Sequence, residues 1–148
     1  MILSRAVRAS STFTTPVALL FLIAGCAPTP TAPSSYAPFS QTDLVVGEGT
    51  SAAVGNTVTV NYTGWLYDSS KTDGKGPQFD TSIGGNPLTL TLGGGTVIKG
   101  WEQGIPGMNV GGVRRLVIPP SLAYGAQRHG IIPPDATLVF EIELLEVQ

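Results

Sequence analysis

Thr96-Val-Ile-Lys-Gly-Trp-Glu-Gln-Gly-Ile105 is the one short segment beyond the N-terminal region whose spacing is helical. Val97, Trp101 and Ile105 recur at i, i+4 and i+8, and Met108 follows at i+11, so one face is apolar. Lys99, Glu102 and Gln103 take the other face. Gly100 and Gly104 each cost a helix about 0.5–1 kcal/mol relative to Ala, which makes sense where a backbone must come close to a neighbour. Pro106-Gly107 stops the segment after about two or three turns. A helix this short is not stable alone and needs a sheet over its apolar face. Taken by itself, it reads first as a plug for a β core.

The flanking sequence supplies that sheet. Val58, Val60 and Tyr62 alternate along Val58–Leu66 and mark a strand. Asp68–Pro77 is polar and turn-rich, a loop or bulge that ends at Phe79-Asp80. Leu88, Leu90 and Leu92 alternate with Thr89 and Thr91, and Gly93-Gly94-Gly95 closes that strand. After the helix, Val113–Ile118 reads as a strand halted by Pro119-Pro120. Ser121–Pro134 is a long loop, and Leu138–Leu145 is a final strand with Phe140, Ile142 and Leu144 on one face. A further strand is expected around Leu44–Val46. The order β, β, β, helix, β, β predicts an α+β domain: a curled antiparallel sheet of about five strands wrapped over one short α-helix. Long loops inside so small a domain generally serve function.

Gly (19) and Pro (12) make up about a fifth of the 148 residues, which favours turns and short strands over long helices. The formal net charge is −2. Beyond residue 42 the ten acidic residues outnumber the basic ones, and no basic face interleaved with aromatics appears, which argues against nucleic acid as a partner.

Residues 1–25 have the makeup of an export signal. Arg5 and Arg8 precede the apolar run Pro16–Ile23, which is too short for a membrane span of about 20 residues. Ile23-Ala24-Gly25-Cys26 resembles a bacterial lipobox, with Ile23 where Leu is usual, and would make Cys26 a lipidated mature N-terminus. An ordinary secretory signal followed by a stray cysteine is the alternative. Cys26 is the sole cysteine, which excludes an internal disulfide and leaves an exported thiol without another use. From Cys26 to Thr42 the chain is rich in Pro, Ala, Ser and Thr, the composition of an extended tether. Residues 43–148 then form the folded domain. The expected localisation is that of an exported, membrane-anchored lipoprotein. Ala27 after the cysteine is compatible with the outer membrane, facing the periplasm, in a Gram-negative cell.

Most catalytic chemistry is missing from the domain. One histidine and one cysteine cannot form a metal cluster or a Cys–His dyad. Gly93–Gly95 lacks the Lys-Ser/Thr ending of a phosphate loop. What stands out is a set of apolar and aromatic residues at element ends and in loops: Tyr62, Phe79, Val97, Ile98, Trp101, Tyr124, Ile131, Ile132 and Phe140, with Asp80 among them. That is the makeup of an apolar ligand pocket with a few polar points. Each member also has a plainer reading. Tyr62 and Phe140 suit core strand positions, Asp80 suits a turn cap, and Tyr124 suits loop packing. His129 reads more as an exposed loop residue than as a catalyst.

Val60-Asn-Tyr-Thr-Gly64, Phe79-Asp80, Val97-Ile-Lys-Gly-Trp101, Ala123-Tyr-Gly125, Gly130-Ile-Ile-Pro-Pro134 and Thr137-Leu-Val-Phe-Glu141 together resemble the FKBP-type peptidyl-prolyl cis-trans isomerases over about residues 43–148. The resemblance implies a five-stranded half-barrel around the helix, with Trp101 as the pocket floor. It implies catalytic roles for Asp80, Tyr62, Phe140 and Tyr124. Phe79, Val97, Ile98, Trp101, His129, Ile131 and Ile132 would contact substrate, with Ile131–Ile132 as a mobile wall. It implies proline-containing polypeptide clients and macrolide ligands, and it requires no metal or cofactor. Three departures stand out. Ser82-Ile-Gly-Gly-Asn86 lies where many members carry an arginine near the pocket aspartate. Leu88 stands where an aromatic is frequent, and Thr96 where an acidic residue is. Two function classes follow: an isomerase for exported proteins, or a non-catalytic binding or chaperone module using the same pocket.

Overall fold

A computed structural model describes residues 36–148. The signal-like stretch, Cys26 and residues 27–35 lie outside the described residues. Six strands form one antiparallel sheet: β1 (Ser40–Val45), β2 (Thr57–Tyr67), β3 (Lys75–Thr81), β4 (Leu88–Thr91), β5 (Val113–Ile118) and β6 (Leu138–Val147). Their order is β1-β5-β6-β2-β3, and β4 also pairs with β2. One helix, α1 (Lys99–Gly104), packs inside the curl, and a 3-10 turn covers Pro120–Leu122. Among the described residues no helix is long and apolar enough to cross a membrane.

The expected α+β sheet over one short helix is what forms, with six strands rather than about five. The extra strand is β3, in a stretch expected to be loop as far as Pro77. Two register shifts against β2 bulge this edge, and a bulged edge tolerates Gly76 and Pro77. Its lack of alternation hid it. β1 also starts earlier than expected: Ser40–Thr42, read as the end of the tether, pair with Val117–Arg115 of β5.

The eleven residues of β2 run along β6 on one side. On the other side β4 pairs with Thr57–Val60 and β3 with Thr63–Tyr67. Ser82 fills the gap between these two partners. Its backbone N–H donates to the Tyr62 carbonyl at 2.9 Å, and its Oγ accepts the Tyr62 N–H at 2.9 Å. The turn at Ser82–Asn86 therefore locks β2 at the residue that carries a key ring.

α1 is shorter than the expected 96–105. Ile98 is its N-cap in an extended conformation, so Thr96 and Val97 lie in the preceding bend. Glu102 stabilises that bend by accepting the Gly93 and Gly95 N–H groups, the latter at 3.0 Å. The apolar face is deeply buried: Trp101 is 4%, Ile105 0% and Met108 3% exposed. At the other end, buried Arg114 donates to the carbonyls of Gly104 (2.8 Å) and Pro106 (3.2 Å). Its remaining nitrogens grip Asp43 on β1 at 2.5 and 3.1 Å. The hydrogen bond from Arg114 holds the Asp43 carboxyl below its usual range.

The two helix glycines are where the backbone comes closest to the sheet. A Cβ on Gly100 would lie 2.4 Å from the nearest Ile118 side-chain atom, and one on Gly104 would lie 2.6 Å from Leu116. Both neighbours are fully buried. Gly100→Ala should therefore lose more by overpacking, about 1–3 kcal/mol, than the roughly 0.5–1 kcal/mol it gains in helix propensity. Urea denaturation should show a lower midpoint, and an unchanged or raised midpoint would contradict the packing.

Candidate active site

Four strands, the helix and two loops line one cavity of about 410 Å³. Tyr62 comes from β2, Phe79 and Asp80 from β3, Leu88 from β4 and Phe140 from β6. Thr96, Val97 and Ile98 come from the bend before α1, Trp101 from α1 itself, and Tyr124 and His129 from the loop after β5. A volume of this size is in the range of small-molecule sites, about 300–1,000 Å³.

The rings hold one another in edge-to-face contact. Trp101 meets Tyr62 at 5.1 Å and 76°, and Phe140 at 5.3 Å and 89°. Phe140 meets Phe79 at 5.5 Å and 86°. Such pairs contribute about 0.5–1.5 kcal/mol each beyond area burial. Gly64 is what lets the last pair close. A Cβ there would lie 2.6 Å from Phe79 Cζ and 2.8 Å from Phe140 Cε1.

Polar points are few. The Tyr62 hydroxyl donates to Asp80 Oδ2 at 2.7 Å, and the Thr81 N–H donates to Oδ1 at 2.9 Å. Among the described residues no basic side chain pairs with Asp80, in keeping with the Ser82–Asn86 departure. Burial pushes the Tyr62 phenol up to about 12, reinforced by the hydrogen bond to Asp80 and by its charge. Burial also raises Tyr124, with Asp80 adding to the effect. Both hydroxyls therefore stay protonated and able to donate at any ordinary pH. The Tyr124 ring stacks on His129 at 4.2 Å and 4°. Among the described residues there is no group of three or more His, Cys, Asp or Glu arranged to hold a metal.

Nine of the residues singled out in the sequence line this cavity: Tyr62, Phe79, Asp80, Val97, Ile98, Trp101, Tyr124, His129 and Phe140. Ile131 and Ile132 do not. Ile132 is 4% exposed and packs in the core, while Ile131 is 68% exposed on the loop. Leu88 and Thr96 do line it, although the sequence marked them only as departures. Alternation along Leu88-Thr-Leu gave the inward direction of Leu88 but not its place at a rim.

The phenol's coupling to Asp80 has a measurable consequence. A Tyr62→Phe variant should lose a phenolate absorbance component that titrates near pH 12. Asp80→Asn should lower that midpoint while leaving it above 10, because burial remains. The folded pKa exceeds an unfolded value of about 10, so the stability this group contributes is fully present below pH 10 and is lost as pH rises towards 12.

Comparison with known proteins agrees with the geometry. A family model described as FKBP-type peptidyl-prolyl cis-trans isomerase matches residues 48–145. An FK506-binding protein of Neisseria meningitidis serogroup A is 50% identical over 107 residues, which is 71% of this chain and 92% of that protein. The crystal structure of AtFKBP13 has a TM-score of 0.63 at 41% identity, covering 74% of this chain and 93% of that one. The crystal structure of FkpA from Escherichia coli has a TM-score of 0.62 at 42% identity, covering 74% of this chain and 48% of that one. By its fold, its aromatic cavity and the extent of these matches, the chain belongs to the FKBP-type peptidyl-prolyl cis-trans isomerases.

Proposed function

We propose that the cavity around Trp101 accelerates X–Pro rotation in exported proteins by favouring the twisted amide, without covalent chemistry. An X–Pro bond resists rotation by about 18–20 kcal/mol because resonance gives C–N double-bond character. The twisted transition state has lost that resonance and is less charge-separated than the planar amide. An apolar enclosure therefore disfavours the planar ground state more than the twisted form. Binding the twisted form more tightly than either planar isomer is sufficient for catalysis. In this reading Trp101, Tyr62, Phe79, Phe140 and Val97 enclose the proline ring. The Ile98 N–H and the Tyr124 hydroxyl bind client carbonyls, and Asp80 orients Tyr62. The observation that carries the reading is the Tyr62–Asp80 hydrogen bond at the wall of an aromatic cage floored by Trp101.

The same cavity would take macrolides. The Neisseria relative is named for binding FK506, and 50% identity to it supports the same class of ligand here. The lipobox-like Ile23–Cys26 and the Pro-rich stretch after it support a membrane-tethered lipoprotein acting on exported clients.

The catalytic reading is tested with the full chain in detergent, an apolar-Pro peptide and an exchange assay free of coupled protease. Wild type should accelerate isomerisation clearly. Asp80→Ala and Phe140→Ala should each lower kcat/KM by about tenfold or more, the equivalent of one lost interaction of about 1.4 kcal/mol. Full activity in both folded variants would overturn the pocket mechanism. No acceleration by folded wild type would leave a binding module.

Anchoring is tested separately. When the gene is expressed in a bacterium, the mature chain should carry added lipid mass on Cys26 and partition with membranes. Cys26→Ser should release it to the soluble fraction, and a wild-type chain without lipid mass would overturn the tether.

A further inference from the structure

The aromatic cavity continues past one wall. A second open depression of about 570 Å³ shares Val97, Ile98 and Tyr124 with it. Its far side is built from Lys99 and Glu102 on α1 and from the Pro120–Gln127 stretch after β5. Beyond the three shared residues, the isomerase mechanism uses none of its lining.

The pairing of its cations distinguishes it from the rest of the domain. The described residues hold ten acidic and six basic side chains. Lys75, Arg114 and Arg115 are committed to ion pairs with Glu141 and Asp43. Lys71 lies in the turn with Asp68. Lys99 and Arg128 are exposed and have no carboxylate partner among the described residues. Lys99 lines the depression itself. Arg128 follows Gln127, which lines it, and precedes His129, which lines the aromatic cavity. The acid on this wall, Glu102, already accepts the Gly93 and Gly95 N–H groups, one on each oxygen. Asp135 is held nearby by its backbone N–H to the Gly125 carbonyl at 2.8 Å, and it pairs with neither cation. Glu102 keeps its charge, but its oxygens are held at the Gly93–Gly95 backbone, so Lys99 and Arg128 are the charged side chains here left free to turn towards a ligand.

We propose that this depression is a flanking subsite for the client chain, in which Lys99, with Arg128 at its edge, selects an acidic residue two or three positions from the proline. The proposal rests on the pocket reading above, since the shared wall makes the depression a continuation of that site. An extended chain advances about 3.3 Å per residue, so a side chain two or three positions out lies roughly 7–10 Å from the proline ring, beyond Ile98 and Tyr124. Lys99 is a specificity-determining residue in this scheme and takes no part in the rotation itself.

The test uses the full chain and peptides with an apolar-Pro core carrying Glu, Gln or Lys at the second or third position on either side. At low salt, Glu at one of these positions should give a kcat/KM about two- to fivefold above Lys, the range expected of an exposed ion pair. The preference should vanish in about 1 M salt, where the screening length falls to about 3 Å. It should shrink in Lys99→Ala, reverse in Lys99→Glu and survive in Lys99→Arg. Arg128→Ala provides a second reduction at a separate site. Equal rates for Glu and Lys at every position, or a preference unchanged in Lys99→Ala and Lys99→Glu, would overturn the proposal. A core peptide without flanking residues separates the two readings. If it is accelerated and the longer peptides show no charge preference, only the subsite fails; if folded wild type does not accelerate it, the pocket reading fails first.

Discussion

The close approach of α1 to β5 at Gly100 and Gly104 is the constraint on which the rest depends. With side chains at these positions the helix would have to rise off Ile118 and Leu116. Trp101, between the two glycines, would rise with it and lose its edge contacts to Tyr62 and Phe140. The helix thus accepts two poor helix formers so that its one large ring can sit at a fixed depth in the curl of the sheet. Gly64 applies the same logic on the facing strand, where a missing side chain makes room for the Phe79–Phe140 contact. The cage is made of rings, but its dimensions are set by glycines.

A cage of this kind suits a reaction in which nothing is transferred. No proton, electron or group has to move for an X–Pro bond to rotate, so the site needs shape, low polarity and a few donors held ready. Tyr62 and Tyr124 provide donors whose pKa values lie well above the working range, for Tyr62 because burial and Asp80 act in the same direction. Asp80 has no ion-pair partner among the described residues, and its carboxylate accepts from the phenol and the Thr81 N–H. The Ser82–Asn86 turn, which lacks the arginine frequent in the family, spends its polar groups instead on locking the Tyr62 backbone.

The main lines of the fold were legible because burial leaves a period in the sequence. Leu138–Val147 and Val113–Ile118 alternate, Trp101, Ile105 and Met108 keep helical spacing, and all three elements form. β3 was not legible, because a bulged edge strand with Gly76 and Pro77 has no burial pattern to display. The first turn of the expected helix does not form, for a related reason. Val97 has the right spacing, but Glu102 reaches back to the Gly93–Gly95 backbone and holds the preceding chain as a bend. Most of the cavity could be read once the six motifs were set side by side. The Ile131–Ile132 pair could not, since which of two adjacent isoleucines packs inward depends on a loop path that no local period encodes. The same is true of the second depression, which exists only where α1 and the loop after β5 face each other.

Arg114 has a mechanical consequence. One guanidinium holds the carbonyls at the end of α1 and, through Asp43, the strand by which the chain enters the domain. Every residue of that strand is exposed, and it joins the sheet along one edge only. A pull on the polypeptide upstream of Ser40 therefore acts first on β1 and, once β1 peels from β5, on the clasp that steadies the helix beneath Trp101. The domain is wired so that tension at its N-terminal end is felt at the floor of its pocket before it reaches the strands that form the walls.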